Sequence, residues 1–108
     1  MNERNSNDMP AEYYDVLNCI INAPDKYITR GKILMQLGKE QSYTRKLVDI
    51  IHGLIVDYDC PIGASAVKGK LGYFIIKSKE DKALAVKTLT SRISGIKKRA
   101  DKLQNIKL

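Results

Sequence analysis

The sequence has no tryptophan, one phenylalanine, one histidine and two cysteines, and nowhere a long apolar run. Each shortage closes off a class of protein. A zinc centre draws three or four ligands from Cys, His and carboxylates. His52, Cys19 and Cys60 lie apart, with no C-x-x-C spacing, and do not supply them. The two cysteines read as separate buried thiols rather than a disulfide framework. No apolar run approaches the ~18 residues of a membrane helix, so no membrane is expected. The polar stretch from Met1 to Met9 lacks the apolar core of a secretory signal. The expectation is a cytoplasmic protein. Glycine-rich phosphate loops and dinucleotide fingerprints are also missing. Carboxylates are scattered, and His52 sits in an apolar stretch without a nucleophile beside it. The chain is therefore not read as an enzyme, and no metal or cofactor is expected.

What is present is length enough for one domain and an uneven distribution of charge. The chain has 108 residues, 44% of them hydrophobic, and a formal net charge of +7. A domain of this size buries a core without metal or disulfide help. Residues 82–108 carry eight Lys and Arg against Asp101 alone, whereas acids outnumber bases in residues 1–26. A basic excess lodged at one end points first to nucleic acid or another acidic partner.

Apolar spacing divides the chain. Residues 1–9 have the composition of a disordered leader. Pro10 suits the first position of a helix that carries Tyr13, Val16, Leu17, Ile20 and Ile21 and ends at Ala23-Pro24. Tyr27-Ile28-Thr29 is a short β-like segment, and Thr29 caps a second helix with Ile33, Leu34 and Leu37 that stops at Gly38. Ser42 is the expected cap of a third helix through about Asp57, with Leu47, Val48, Ile51, Leu54 and Ile55 as its buried stripe. Gly53 within it leaves room for another backbone to approach closely. The stretch CPIGASAVKGKLGYFII, Cys60 to Ile76, follows as a β-hairpin with a basic tip. Ser78 caps a last helix from Lys79 to about Leu103, with acids in its first turn as the helix dipole prefers.

Three helices, the last two joined by a turn of a few residues, and then a hairpin give the order of a winged helix–turn–helix. The fold class expected is mainly α with a small β-hairpin: a winged helix–turn–helix over 10–78 and a long basic helix over 79–108. Arg45, Pro61-Ile62, Gly72-Tyr73, Ser91-Arg92 and Lys97-Lys98-Arg99 also stand where a familiar pattern has them. On these residues about three quarters of the chain resembles winged-helix DNA-binding proteins of bacteriophages and prophages of Gram-positive bacteria. The resemblance implies a DNA-binding, regulatory or replication-associated role in a bacterial host cell. Where such relatives carry a second Arg three residues past the first, this chain has Val48.

In a helix–turn–helix the start of the recognition helix enters the major groove. Here that start is Ser42, Tyr43, Thr44, Arg45 and Lys46. Arg45 suits guanine or phosphate, the hydroxyls suit phosphate, and Tyr43 suits a sugar or a hydrogen bond. Lys68 and Lys70 at the hairpin tip add two further candidate phosphate contacts; lysines on an edge strand also serve to block aggregation. Asp49, Asp57 and Asp59 make the rest of the third helix less inviting to a polyanion.

The last helix carries Val86, Leu89, Ile93, Ile96, Ala100 and Leu103 at alternating spacings of three and four, a heptad seam. The seam either packs back on the domain or pairs with its twin, and homodimerisation through it is the favoured expectation, suiting a palindromic site on double-stranded DNA. The alternative function is a winged-helix interaction module that binds or inhibits a host or phage protein, through Asp49, Asp57 and Tyr58 or the basic tail.

Overall fold

The computed structural model describes residues 9–108. Of the leader expected over residues 1–9, only Met9 is among them, half-buried against the core; the remainder lies outside the described residues. The chain runs through α1 (Ala11–Ile21), α2 (Arg30–Leu37), a 3-10 turn (Gln41–Tyr43), α3 (Thr44–Val56), β1 (Ile62–Ser65), β2 (Gly72–Ile75) and α4 (Lys79–Gln104). It is mainly helical, with one antiparallel hairpin and a long C-terminal helix.

Local chemistry sets most of the boundaries. The Thr29 hydroxyl accepts from the Lys32 N–H at 3.3 Å and caps α2. Gly38 closes the same helix in the left-handed conformation, φ 67°. The Ser78 hydroxyl accepts from the Asp81 N–H at 3.0 Å and caps α4, with Glu80 and Asp81 in its first turn. Each side-chain cap satisfies a donor that the helix start would otherwise leave unpaired. The start of α3 departs from expectation. Ser42 lies inside the 3-10 turn, and Tyr43 holds the cap position with no side-chain bond.

The core is built from Val16 and Ile20 of α1, Ile33 and Leu34 of α2, and Leu47, Ile50, Ile51 and Leu54 of α3, with Ile28 and Ile62. Burying each such side chain contributes about 1.5–3 kcal/mol. The buried arc of α3 is rotated from the expected one. Ile50 faces inward, while Val48 and Ile55 face solvent, 38% and 41% exposed. Gly53 accommodates this facing: the Tyr13 ring lies against it, where a Cβ would stand 2.9 Å from a ring carbon. The group that Gly53 admits is thus a side chain of α1 and not the backbone expected there.

In the hairpin, Ile62, Gly63, Ala64 and Ser65 pair with Ile75, Phe74, Tyr73 and Gly72. The Tyr27-Ile28-Thr29 segment joins its edge through one antiparallel bridge, the N–H groups of Ile28 and Tyr73 each donating to the other's carbonyl at 2.9 and 2.8 Å. Gly72 permits this, since its φ is 113° and a Cβ would collide with the Ile28 carbonyl.

The beginning of α4 lies on β1. Its buried and half-buried residues are Asp81, Leu84, Ala85 and Thr88, one face at helical spacing. Gly63 of β1 lets the strand approach, because a Cβ there would stand 2.7 Å from both Ala85 and the Phe74 ring. The Asp81 carboxylate then receives Lys26 Nζ at 2.7 and 2.8 Å and the Lys77 N–H at 2.9 Å. This fastens the base of α4 to the loop after α1.

Candidate nucleic-acid interface

The seven residues expected at a DNA surface fall into four groups. Tyr43 and Lys46 belong to a cluster closed by α1. The Tyr43 hydroxyl donates to Oε2 of Glu12 at 2.7 Å, and Lys46 Nζ reaches the same oxygen at 3.2 Å. Lys39 Nζ stands 5.0 Å from the centre of the Tyr43 ring, a cation–π distance. The hydrogen bond from Tyr43, and then Lys46, hold the Glu12 carboxyl below its ordinary range. The same bond pushes the Tyr43 phenol up to about 12. One carboxylate thus neutralises part of the charge at the start of α3.

Thr44 is set differently, its hydroxyl oxygen buried without a hydrogen-bond partner. Ser42 and Arg45 are exposed. Among the described residues no carboxylate pairs with Arg45, not even Asp49 one turn on. Lys68 and Lys70 are exposed on the hairpin turn. That turn is shaped by the Val67 N–H donating to Ser65 Oγ at 3.1 Å, by the Lys70 N–H donating to the Val67 carbonyl at 2.8 Å, and by Gly69 at φ 85°.

Between these groups lies an open cleft of about 500 Å³ where α2, α3, the hairpin and α4 meet. Arg30 and Arg92 line it from opposite elements; Val48, Leu71 and Tyr73 supply its apolar surface. Neither arginine has an acidic partner among the described residues. Arg45 is three residues before Val48 and therefore on the same face of α3. Sequence patterning missed this cleft. Arg30 was visible only as the residue after a cap, and Arg92 only as half of Ser91-Arg92, with no local pattern to bring them together.

The seam residues of α4 lie apart from the cleft floor. Val86, Leu89, Ile93, Ile96, Ala100 and Leu103 are all exposed. The helix contacts the body through other residues, so the seam is not what packs it back on the domain. Asp49 and Asp57 are exposed as well, whereas Tyr58 is half-buried, its ring edge-on to Tyr13 at 5.8 Å. Burial raises the thiols of Cys19 and Cys60 above their ordinary value, with Asp15 and Asp59 adding to the effect. Among the described residues no helix is long and apolar enough to cross a membrane, and no group of three or more His, Cys, Asp or Glu is placed to hold a metal ion. Compared with known proteins, the chain matches no family model, no curated protein and no solved structure.

Proposed function

We propose that the chain is a winged-helix protein that grips double-stranded DNA, with α3 as the recognition helix and the β1–β2 hairpin as the wing. The observation that carries this reading is the cleft between α3 and the hairpin, whose two arginines have no acidic partner among the described residues, with Arg45 one turn before the lining residue Val48 on the same face of α3. The order of elements supports it, as does the Ile28–Tyr73 bridge, which adds a third extended segment to the hairpin. Phosphate contacts position a protein on the duplex, and base contacts specify the site. Arg30, Arg92, Lys68 and Lys70 suit the first task. Arg45 suits either. Val48, which takes the place of an arginine in the phage-type pattern, offers an apolar surface to a sugar or a thymine methyl, while Arg30 and Arg92 supply cationic charge from neighbouring elements. On the resemblance to phage winged-helix proteins, the role is transcription regulation or replication initiation.

A low-salt gel shift with wild type and the Arg45→Glu, Lys46→Glu double variant tests the reading. The wild type retards a duplex and the variant does not. A wild type that retards no duplex at low salt overturns it. The exposed seam on α4 favours a second reading, an interaction module for another protein, and it has a consequence independent of DNA.

A further inference from the structure

Beyond Thr88, every residue of α4 is exposed. Ile93, Ile96 and Leu103 are 64%, 56% and 68% exposed. A recurring apolar line on a polar helix, left open along several turns, is an unfilled helix–helix contact. The residues beside the line identify its occupant.

In heptad terms the flanking positions next to the seam are Arg92 and Arg99 on one side, with Thr90, Lys97 and Gln104 on the other. A parallel pair of identical helices brings the arginine flank of one copy against Lys97 of the other. An antiparallel pair brings the arginine flank against itself. Both arrangements set cations against cations, and flanking charge of this kind governs partner choice in coiled coils. The local acid, Asp101, stands 3.0 Å from Lys97 and offsets that lysine alone, so Arg92 and Arg99 meet no acid in either arrangement. A second copy therefore meets the right apolar spacing with the wrong flanks.

We propose that the seam from Leu89 to Leu103 receives an amphipathic helix of a different protein, one whose own apolar line is bordered by Glu or Asp. Such a helix fills the apolar positions and pairs with Arg92 and Arg99, which no carboxylate among the described residues engages. The helix that carries the seam is anchored to the body only at its base, through the Lys26–Asp81 pair and the close approach at Gly63. The apolar seam does not depend on the DNA reading, although its flank shares Arg92 with the cleft.

The full chain is titrated with labelled peptides of about three heptads carrying Leu and Ile on the seam. One has Glu at the flanking positions, one has Lys there, and one is a scrambled form of the Glu peptide. Fluorescence anisotropy is expected to show the Glu-flanked peptide bound at least about tenfold tighter than either control. The Ile93→Ser, Ile96→Ser double variant loses that binding with an unchanged melting midpoint, because neither side chain supports the body. Equal affinity for the ordered and scrambled acidic peptides would falsify the proposal, leaving charge alone as the cause. No binding of any peptide overturns it as well. So does a wild type that sediments as a dimer while the double variant is a monomer, which assigns the seam to a second copy. Vesicles of anionic lipid that capture wild type but not the double variant overturn it in favour of a membrane surface. A gel shift left intact in the double variant separates this outcome from failure of the DNA reading.

Discussion

The Tyr43 hydroxyl sits 2.7 Å from Oε2 of Glu12, so the turn that begins α3 is tied to the first turn of α1. Lys46 reaches the same oxygen at 3.2 Å. An acid from another helix thus restrains two groups at the edge of the proposed DNA surface. Glu12→Gln removes the charge and releases Lys46. Duplex affinity at low ionic strength is expected to rise about threefold, and the log–log salt slope to steepen by about one, as for one added phosphate contact. Anisotropy titrations over a salt series check this. An unchanged slope means that Lys46 faces no phosphate.

Arg92 and Arg45 are expected to behave differently on a panel of duplexes. Arg92→Ala weakens all of them to a similar degree and reduces the salt slope by about one. Arg45→Ala costs about 1–3 kcal/mol on the preferred sequence and little on others if the guanidinium reads a base. A uniform loss for Arg45→Ala would assign it to phosphate instead. Selection from a random duplex library supplies the preferred sequence.

Phe74 shows how much of the stability rests on the hairpin. It is fully buried, meets Tyr27 edge-on at 5.1 Å, and lies against Gly63 beneath α4. Phe74→Ala is expected to cost about 3–5 kcal/mol by urea unfolding. Met35→Ala, at a residue 78% exposed on α2, is expected to stay within about 0.5 kcal/mol. Comparable losses at the two positions would mean that the hairpin does not close the core.

The Lys26–Asp81 pair sets the direction of the pH dependence. Lys26, and then the Lys77 N–H, hold the Asp81 carboxyl below its ordinary 3.8. A carboxyl lowered by folding contributes stability that is present above its unfolded value and is lost as pH falls through the lower, folded one. At the alkaline end, Asp81 raises Lys26 above 10.5, and Tyr43 moves from 10.0 to about 12. These raised groups contribute fully below their unfolded values and lose that contribution as pH rises through the folded ones. Thermal melts of wild type are therefore expected to fall off below pH 3.8 and again above pH 10. Asp81→Asn is less stable at neutral pH but has a flatter acid limb, and parallel acid limbs in the two proteins would exclude the pair as the cause.

What was legible in the sequence was local. Thr29, Gly38 and Ser78 mark helix ends because a cap and its target lie within a few residues of one another. The hairpin was legible for the same reason, with Gly69 and Gly72 between two apolar runs. The facing of α3 was not. Leu47, Val48, Ile51, Leu54 and Ile55 fit helical spacing as well as Leu47, Ile50, Ile51 and Leu54 do, so that only Val48, Ile50 and Ile55 were misplaced. The observed arc places Gly53 against the Tyr13 ring, a contact that belongs to another helix. Glu12 with Tyr43, and Lys26 with Asp81, are paired across tens of residues and left no periodic trace. The same limit hid the cleft, since Arg30 and Arg92 meet only after four elements have assembled.

The partial support of α4 divides its backbone amides into two populations. Up to Thr88 they are covered by β1 and exchange with solvent only when the molecule as a whole opens. Past that point the helix is held by its own bonds, and Gly95 weakens it by about 1 kcal/mol relative to alanine. No tertiary packing supports these turns, and most helical stability in proteins comes from such packing, so these outer amides open locally and exchange early. Deuterium uptake along a single unbroken helix would then run on two clocks, and the residue at which the rate changes marks where the folded body ends.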